Sequence, residues 1–88
     1  MTLIKKVDKA LKAAGCEVLP LDPLFYPHTP RLLVMTKGRR ILLMDVHEAG
    51  DPLPDRKTEL AQRRFLDAWK PCCRVVESVE DALRAVAL

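Results

Sequence analysis

Two apolar runs in the middle of the chain predict a β-hairpin. They span residues 31–36 and 41–46, and the polar segment 37–40 separates them. A short apolar run bounded by turn residues is typical of a buried strand, and Gly38 is expected to provide the unusual backbone angles of the turn. Because neither run alternates apolar with polar residues, both faces of the hairpin are expected to be covered. The pattern therefore favours the middle of an α/β sandwich.

Patterns on either side of the hairpin complete the predicted order α-β-β-β-α-β-α. Apolar residues at helical spacing predict three helices, over residues 2–14, 58–69 and 79–86. Short apolar runs predict two further strands, over 16–20 and 74–77. Thr2, Ser78 and either Asp55 or Thr58 are the expected helix N-caps. The expected buried stripe of the second helix consists of Leu60, Ala61, Phe65, Ala68 and Trp69.

Composition describes a single small domain over residues 1–88. The 88 residues are 49% hydrophobic and 31% charged, and no apolar run approaches the length of a membrane span. Cys16, Cys72 and Cys73 do not have the spacing of a disulfide framework, so a reduced, cytoplasmic protein is the simplest interpretation. Zinc-type pairs are separated by two to four residues, which argues against a cysteine metal site. A core this small also makes a homodimer reasonable.

Two polar features stand out from this background. Asp45 and His47 are two residues apart near the end of a predicted strand, so both side chains emerge on one face. Lys37, Arg39 and Arg40 cluster at the predicted hairpin turn, where they form either a solvated polar tip or a contact for phosphates. The net charge of +3 permits contact with nucleic acid without requiring it.

The order of elements and four short segments resemble the PD-(D/E)XK nucleases, in particular their small VRR-NUC branch. The resemblance spans nearly the whole chain and is carried by residues 29–34, 45–47, 61–66 and 75–83. It implies a restriction-endonuclease-like three-layer α/β sandwich with a central mixed sheet. It also implies a nuclease whose paired carboxylates hold Mg²⁺ or Mn²⁺, with a lysine that orients or deprotonates the attacking water.

Two departures from the family pattern affect the implied active site. The position of the first carboxylate holds Arg31, and the position of the lysine holds His47, so only Asp45 matches as a metal ligand. By this alignment Asp45, His47 and Gln62 occupy the catalytic positions. An ion pair between Arg31 and Asp45 would then stand in place of the metal. A second carboxylate could still come from Asp22, Glu48 or Asp51, with His47 acting as the base.

Three interpretations of function remain open at this point. The first is a catalytically degenerate nuclease-fold domain that binds DNA or RNA, or that pairs two copies through an apolar face. Its candidate nucleic-acid surface comprises Lys37, Arg39, Arg40, Arg63 and Arg64, together with Arg56 and Lys57. The second is a divergent Mg²⁺- or Mn²⁺-dependent endonuclease that uses Asp45 and His47. The third is a small protein-interaction domain with no nucleic-acid role. None of them involves a membrane or another cofactor.

Overall fold

The computed structural model describes residues 1–21, 30–50 and 55–87, and it contains the predicted order of elements. A single 3₁₀ turn, Lys70–Cys72, is added before the last strand. The helices and strands are α1 (Leu3–Ala13), β1 (Glu17–Pro20), β2 (Leu32–Met35), β3 (Ile41–Val46), α2 (Arg56–Ala68), β4 (Cys73–Val76) and α3 (Val79–Val86). The predicted α-β-β-β-α-β-α order is confirmed.

The four strands form one mixed sheet in the order β1-β2-β3-β4. The first three strands are antiparallel neighbours, whereas β4 runs parallel to β3. A parallel neighbour requires a crossover connection, and α2 lies in that connection between β3 and β4. The hairpin of β2 and β3 is therefore the centre of the sheet, as its apolar composition predicted.

The hydrophobic core lies between one face of the sheet and the pair α1 and α3. Leu32 and Val34 of β2 and Met44 of β3 point to this face and are almost completely buried. The helices add Val7, Leu11 and Ala82, which have no exposed surface. None of the helices that the structure describes has the length and hydropathy of a membrane-spanning segment.

Local signals in the sequence account for the helix ends. The side chains of Thr2, Asp55 and Ser78 each accept a hydrogen bond from a backbone N–H of the first turn, which satisfies a donor that the helix itself leaves free. Gly15 ends α1 with a φ of +92°, and a Cβ at this position would approach the Lys37 side chain to 3.3 Å. Both the backbone angle and the close approach favour glycine.

The opposite face of the sheet is more open than the sequence pattern predicted. Leu19, Met35 and Ile41 on this face are exposed, so the expectation that both faces of the hairpin are covered is wrong. The predicted stripe of α2 is also wrong in part, because Leu60, Ala68 and Trp69 are exposed and no residue of this helix is buried. None of the described residues of α2 belongs to the core cluster on the α1 and α3 side of the sheet.

The hairpin turn obtains its backbone geometry from a different residue than expected. Gly38 is not among the residues with positive φ, whereas Arg39 has a φ of +67°. The turn is closed by hydrogen bonds from the Arg39 N–H to the Thr36 carbonyl and from the Arg40 N–H to the Thr36 hydroxyl. The prediction that Gly38 supplies the unusual angle is therefore wrong, and the left-handed conformation falls on an arginine.

Candidate functional site

Asp45 and its predicted partners lie at the end of β3 that is remote from the hairpin turn. The last registered pair between β2 and β3 is Leu32 with Met44, so the next pair in this antiparallel register is Arg31 with Asp45. On the other side of β3, Asp45 pairs with Val75 of β4. The His47 N–H continues this ladder by donating to the Val76 carbonyl at 2.9 Å. The register thus brings Arg31, Asp45 and His47 into one neighbourhood.

The Asp45 carboxyl is partly buried, and this burial dominates its electrostatics. Burial removes water from around the carboxyl and disfavours its charged form, which raises the pKa of Asp45 above its ordinary value of 3.8. The positive charges of His47 and, to a smaller extent, Arg31 lower the pKa but do not cancel the effect of burial. Both basic side chains therefore act on Asp45 through their charge, as the proximity in the register requires.

Arg31 also contributes to a small cavity between the end of the sheet and the start of α1. The cavity has a volume of about 190 Å³ and is lined by Arg31, Glu48, Val46 and two residues at the start of α1, Thr2 and Ile4. Among the described residues, no contact between Arg31 and Asp45 falls within the 4.0 Å limit of an ion pair. The direct ion pair that the resemblance suggested stays a prediction, whereas the electrostatic interaction between the two residues is present.

The oxygen-bearing side chains around Asp45, among the residues that the structure describes, do not form a Mg²⁺ site. Mg²⁺ takes oxygen ligands in near-octahedral geometry. Among the described strand residues paired around this point, Asp45 is the one carboxylate. Glu48 lines the neighbouring cavity, but Asp45 does not. Within residues 1–21, 30–50 and 55–87, no three His, Cys, Asp or Glu residues are placed to hold a metal ion together. Asp22 and Asp51, the other candidate carboxylates, lie outside the described residues.

Gln62 belongs to the half-covered side of α2. The partly buried positions of this helix are Thr58, Ala61, Gln62, Phe65 and Leu66, which recur at helical spacing. This partial burial is compatible both with an amide that faces the site and with a helix residue in contact with solvent. A role for Gln62 in catalysis stays a prediction.

The basic hairpin tip lies at the opposite end of β3 from Asp45. Arg40 directly precedes β3 and is five residue steps from Asp45, a distance of about 17 Å along the strand. Arg40 is partly buried, and its guanidinium donates to the Ala85 carbonyl of α3 at 3.3 Å. Lys37 and Arg39 are exposed. The three basic residues therefore divide into one that ties the hairpin to α3 and two that face solvent.

The predicted basic residues of α2 are exposed as well. Arg63 forms an ion pair with Glu59 one turn earlier, at 3.0 Å. Exposed ion pairs of this kind contribute little to the stability of the protein. The pair with Glu59 neutralises part of the positive charge that Arg63 offers to a phosphate. Arg64 is exposed without such a pair among the described residues. A nucleic-acid role of these residues is untested by the geometry and stays a prediction.

Cys73 is a neighbour of Asp45 that the sequence interpretation did not connect with the site. It pairs with Leu43 in the register, so it lies on the same face of the sheet as Asp45. Burial, followed by the negative charge of Asp45, raises the pKa of Cys73 to about 11. The parallel pairing of β4 with β3 places the two residues near each other, and adjacent cysteines in a sequence carry no signal of it.

Comparison with known proteins supports the fold but not a sequence family. No protein-family model matches the chain, and no curated protein shows significant sequence similarity to it. A solved structure described as a VRR_NUC domain superposes on it with a TM-score of 0.71 and 21% sequence identity. The match covers 96% of this chain and 89% of that one. The chain thus has the restriction-endonuclease-like α/β fold of a VRR-NUC domain.

Proposed function

We propose that this protein is a nuclease-fold domain that binds nucleic acid without cleaving it. The observation that carries the proposal is the register of β2 and β3, which sets Arg31 beside Asp45. In the family pattern a metal-binding carboxylate stands where this chain has Arg31. A fixed positive charge at that point repels a divalent cation, and the one matched carboxylate cannot bind it well alone.

The electrostatics of Asp45 support the same proposal. A carboxylate that binds a metal must be ionised, and burial, which raises the pKa of Asp45, opposes this ionisation. The charges that oppose this effect belong to His47 and Arg31, which are part of the protein. In this proposal the basic side chains take over the electrostatic role that a bound cation has in the active nucleases.

The proposed binding surface is the exposed part of the hairpin tip. Lys37 and Arg39 carry two of the positive charges of a chain whose net charge is +3. Contacts of lysine and arginine with phosphates give affinity that depends on salt and little on base sequence. We therefore propose that the domain recognises the backbone of DNA or RNA. Which of the two it prefers is an outcome of the binding experiment.

Fluorescence anisotropy tests this proposal with labelled duplex DNA, single-stranded DNA and duplex RNA, each in EDTA. The double variant Lys37→Ala/Arg39→Ala is expected to bind more weakly at every salt concentration. For duplex DNA its slope of log affinity against log salt should be shallower by about 1.8, because two phosphate contacts are lost.

The matched control is Lys5→Ala/Lys6→Ala, which removes the same charge from exposed positions. These two lysines lie in the first turn of α1, whereas the Lys37 side chain lies near Gly15 after the last turn of that helix. This control should retain most of the affinity and the salt slope of the unmodified protein. Equal losses in both double variants would mean that the hairpin tip is not the binding surface. Absence of binding to all three nucleic acids would reject the proposed function and favour a domain that binds only protein.

A divergent, active endonuclease is the second candidate. It is favoured by the proximity of His47 to Asp45, since an imidazole beside a carboxylate could serve as the general base. This candidate requires a second carboxylate and predicts that Asp45→Ala abolishes divalent-dependent cleavage. The degenerate domain predicts no cleavage in either protein, so the two candidates differ in a direct assay.

A further inference from the structure

The positive charge of the chain is concentrated on α2 and the turn that follows it. Residues 56–74 include six basic and two acidic residues, a net charge of +4, whereas the whole chain has a net charge of +3. No residue of α2 is buried, and its basic residues Arg56, Lys57, Arg63 and Arg64 are exposed. Such a concentration of exposed positive charge is typical of a surface that contacts phosphates.

An aromatic pair lies at the end of α2, within this basic segment. The rings of Phe65 and Trp69 are stacked, with their centroids 5.7 Å apart and an angle of 17° between their planes. Phe65 is half-buried, whereas Trp69 is 48% exposed. The contact with Phe65 limits the orientations of the indole, and almost half of Trp69 still faces solvent. An exposed tryptophan held in this way is suited to stacking on a nucleobase.

Two basic residues adjoin Trp69 through one turn of the backbone. The Cys72 N–H donates to the Trp69 carbonyl at 2.9 Å, which turns the chain directly after the tryptophan. The Arg74 guanidinium donates to the Cys73 carbonyl at 2.9 Å and to the Lys70 carbonyl at 3.3 Å, so it is held against the same turn. Lys70 and Arg74 are both exposed. Positive charges beside an exposed aromatic ring match the two parts of a nucleotide, its phosphate and its base.

Trp69 lies toward the end of the sheet that carries the hairpin tip. Because β4 runs parallel to β3, both strands begin at the same end of the sheet. The hairpin tip directly precedes β3, and Trp69 with the turn Lys70–Cys72 directly precedes β4. The tip and Trp69 thus adjoin the starts of neighbouring strands, which are about 4.8 Å apart, so one nucleic-acid strand can contact both.

We infer that Trp69 stacks on an unpaired base of single-stranded nucleic acid while Lys70 and Arg74 contact its phosphates. The site rests on the proposed function and adds the class of nucleic acid that the domain recognises, because bases are open to stacking where they are unpaired. Stacking tolerates every base, so the site detects that a base is unpaired and not which base it is. An acidic protein segment would satisfy the charges but offers no flat ring to the indole, which favours nucleic acid as the partner.

Quenching of tryptophan fluorescence tests the stacking directly, because Trp69 is the one tryptophan of the chain and a stacked base quenches indole emission. The unmodified protein, excited where tyrosine does not absorb, should lose fluorescence when single-stranded oligothymidine is added. An abasic strand of the same length offers the same phosphates without bases, and relaxed circular duplex DNA offers only paired bases. Both should bind without comparable quenching. Polyglutamate represents an acidic protein partner in the same assay.

Variants at the site test its contribution to affinity, measured by fluorescence anisotropy with labelled strands. Trp69→Ala should bind the single strand about tenfold more weakly and leave duplex binding almost unchanged, because one stacked base is lost. Trp69→Phe keeps a ring against Phe65 and should retain most of the affinity, which separates lost stacking from lost folding. Leu60→Ala is the matched control, since Leu60 is an apolar residue of the same helix and is 45% exposed. Lys70→Ala should make the salt slope for the single strand shallower by about 0.7.

The outcomes separate the stacking site from the proposed function. If no nucleic acid binds, the proposed function and the stacking site are both rejected. If the abasic strand quenches as strongly as oligothymidine, or Trp69→Ala loses no affinity for the single strand, the stacking site is overturned while phosphate binding by the hairpin tip stands. Equal quenching by polyglutamate would assign the surface to an acidic protein partner and would also overturn the stacking site.

Discussion

Arg31, directly before β2, lies opposite Asp45 of the neighbouring strand β3. This pair is the next one after Leu32 and Met44 in the antiparallel register of β2 and β3, at the end of the hairpin remote from the turn. Its charge lowers the pKa of Asp45, while burial raises it further than Arg31 and His47 can compensate. Arg31 thus places a positive charge at the position where the family pattern has a metal-binding carboxylate. This relationship between two residues is the basis of the proposed loss of catalysis.

Asp45→Asn is expected to stabilise the protein at neutral pH. Because the pKa of Asp45 is raised in the folded state, folding favours the protonated carboxyl. Its contribution to stability is complete below the ordinary pKa of 3.8 and is lost as the pH rises through the raised, folded-state value. The neutral amide avoids this loss. Urea denaturation at pH 7 should therefore show a higher midpoint for the variant.

The control for this measurement is Asp67→Asn on the exposed part of α2, which should change the free energy of unfolding by less than about 0.5 kcal/mol. The advantage of Asp45→Asn should shrink as the pH is lowered toward 3. An advantage that is the same at pH 3 and pH 7 would not come from ionisation of Asp45.

Removal of either basic neighbour should raise the pKa of Asp45 further. His47→Leu is expected to have the larger effect and Arg31→Leu the smaller, since this is the order of their influence on the carboxyl. Imidazole carries its positive charge in the acidic range where carboxylates titrate. Carbon-detected NMR titration of the Asp45 carboxyl would measure both shifts. Arg64→Leu, an exposed change on α2, serves as the charge-matched control and should leave the titration unaltered.

Much of this fold could be predicted from local signals. Ser78, Asp55 and Thr2 mark helix starts that the structure confirms, because capping depends on residues a few positions apart. Gly15 ends α1 for a similarly local reason. The neighbourhood of Arg31 and Asp45 also follows from sequence, once the hairpin and its register are accepted.

The errors arise where the outcome depends on distant parts of the chain. Ile41 and Met35 look like core residues in the sequence, but both are exposed and neither belongs to the core cluster of the described residues. Leu60 and Trp69 were expected in a buried stripe, but both are exposed, and α2 has no buried residue. The electrostatic effect of Asp45 on Cys73 depends on the parallel pairing of strands that are separated by a whole helix.

Cys73 is expected to resist alkylation in the folded protein. With a pKa of about 11, well below 0.1% of the thiol is ionised at pH 7.5, and the thiolate is the reactive form. Iodoacetamide labelling followed by peptide mass spectrometry should show a rate at least about 100-fold higher in urea than in buffer. Asp45→Asn removes a charge that raises this pKa, so it should speed the native reaction. No change in that variant would contradict the coupling between the two residues.

Arg39→Gly should stabilise the hairpin turn. Arg39 has a φ of +67°, a conformation that costs an L-residue about 1 kcal/mol and costs glycine little. Thermal unfolding of the variant should show a higher midpoint. Gly38→Ala is the informative control, because the nearest atom to its added Cβ is the Thr36 hydroxyl at 3.9 Å. A large loss of stability in Gly38→Ala would mean that the turn depends on Gly38 after all.

The most direct test of the proposed function is a cleavage assay on supercoiled plasmid and on branched DNA. Reactions would contain Mg²⁺ or Mn²⁺, with Asp45→Ala protein prepared in parallel to reveal any contaminating nuclease. We predict no nicking above the level of the Asp45→Ala preparation with either metal. Divalent-dependent nicking that is present in the unmodified protein and lost in Asp45→Ala would contradict a degenerate domain and identify an active nuclease.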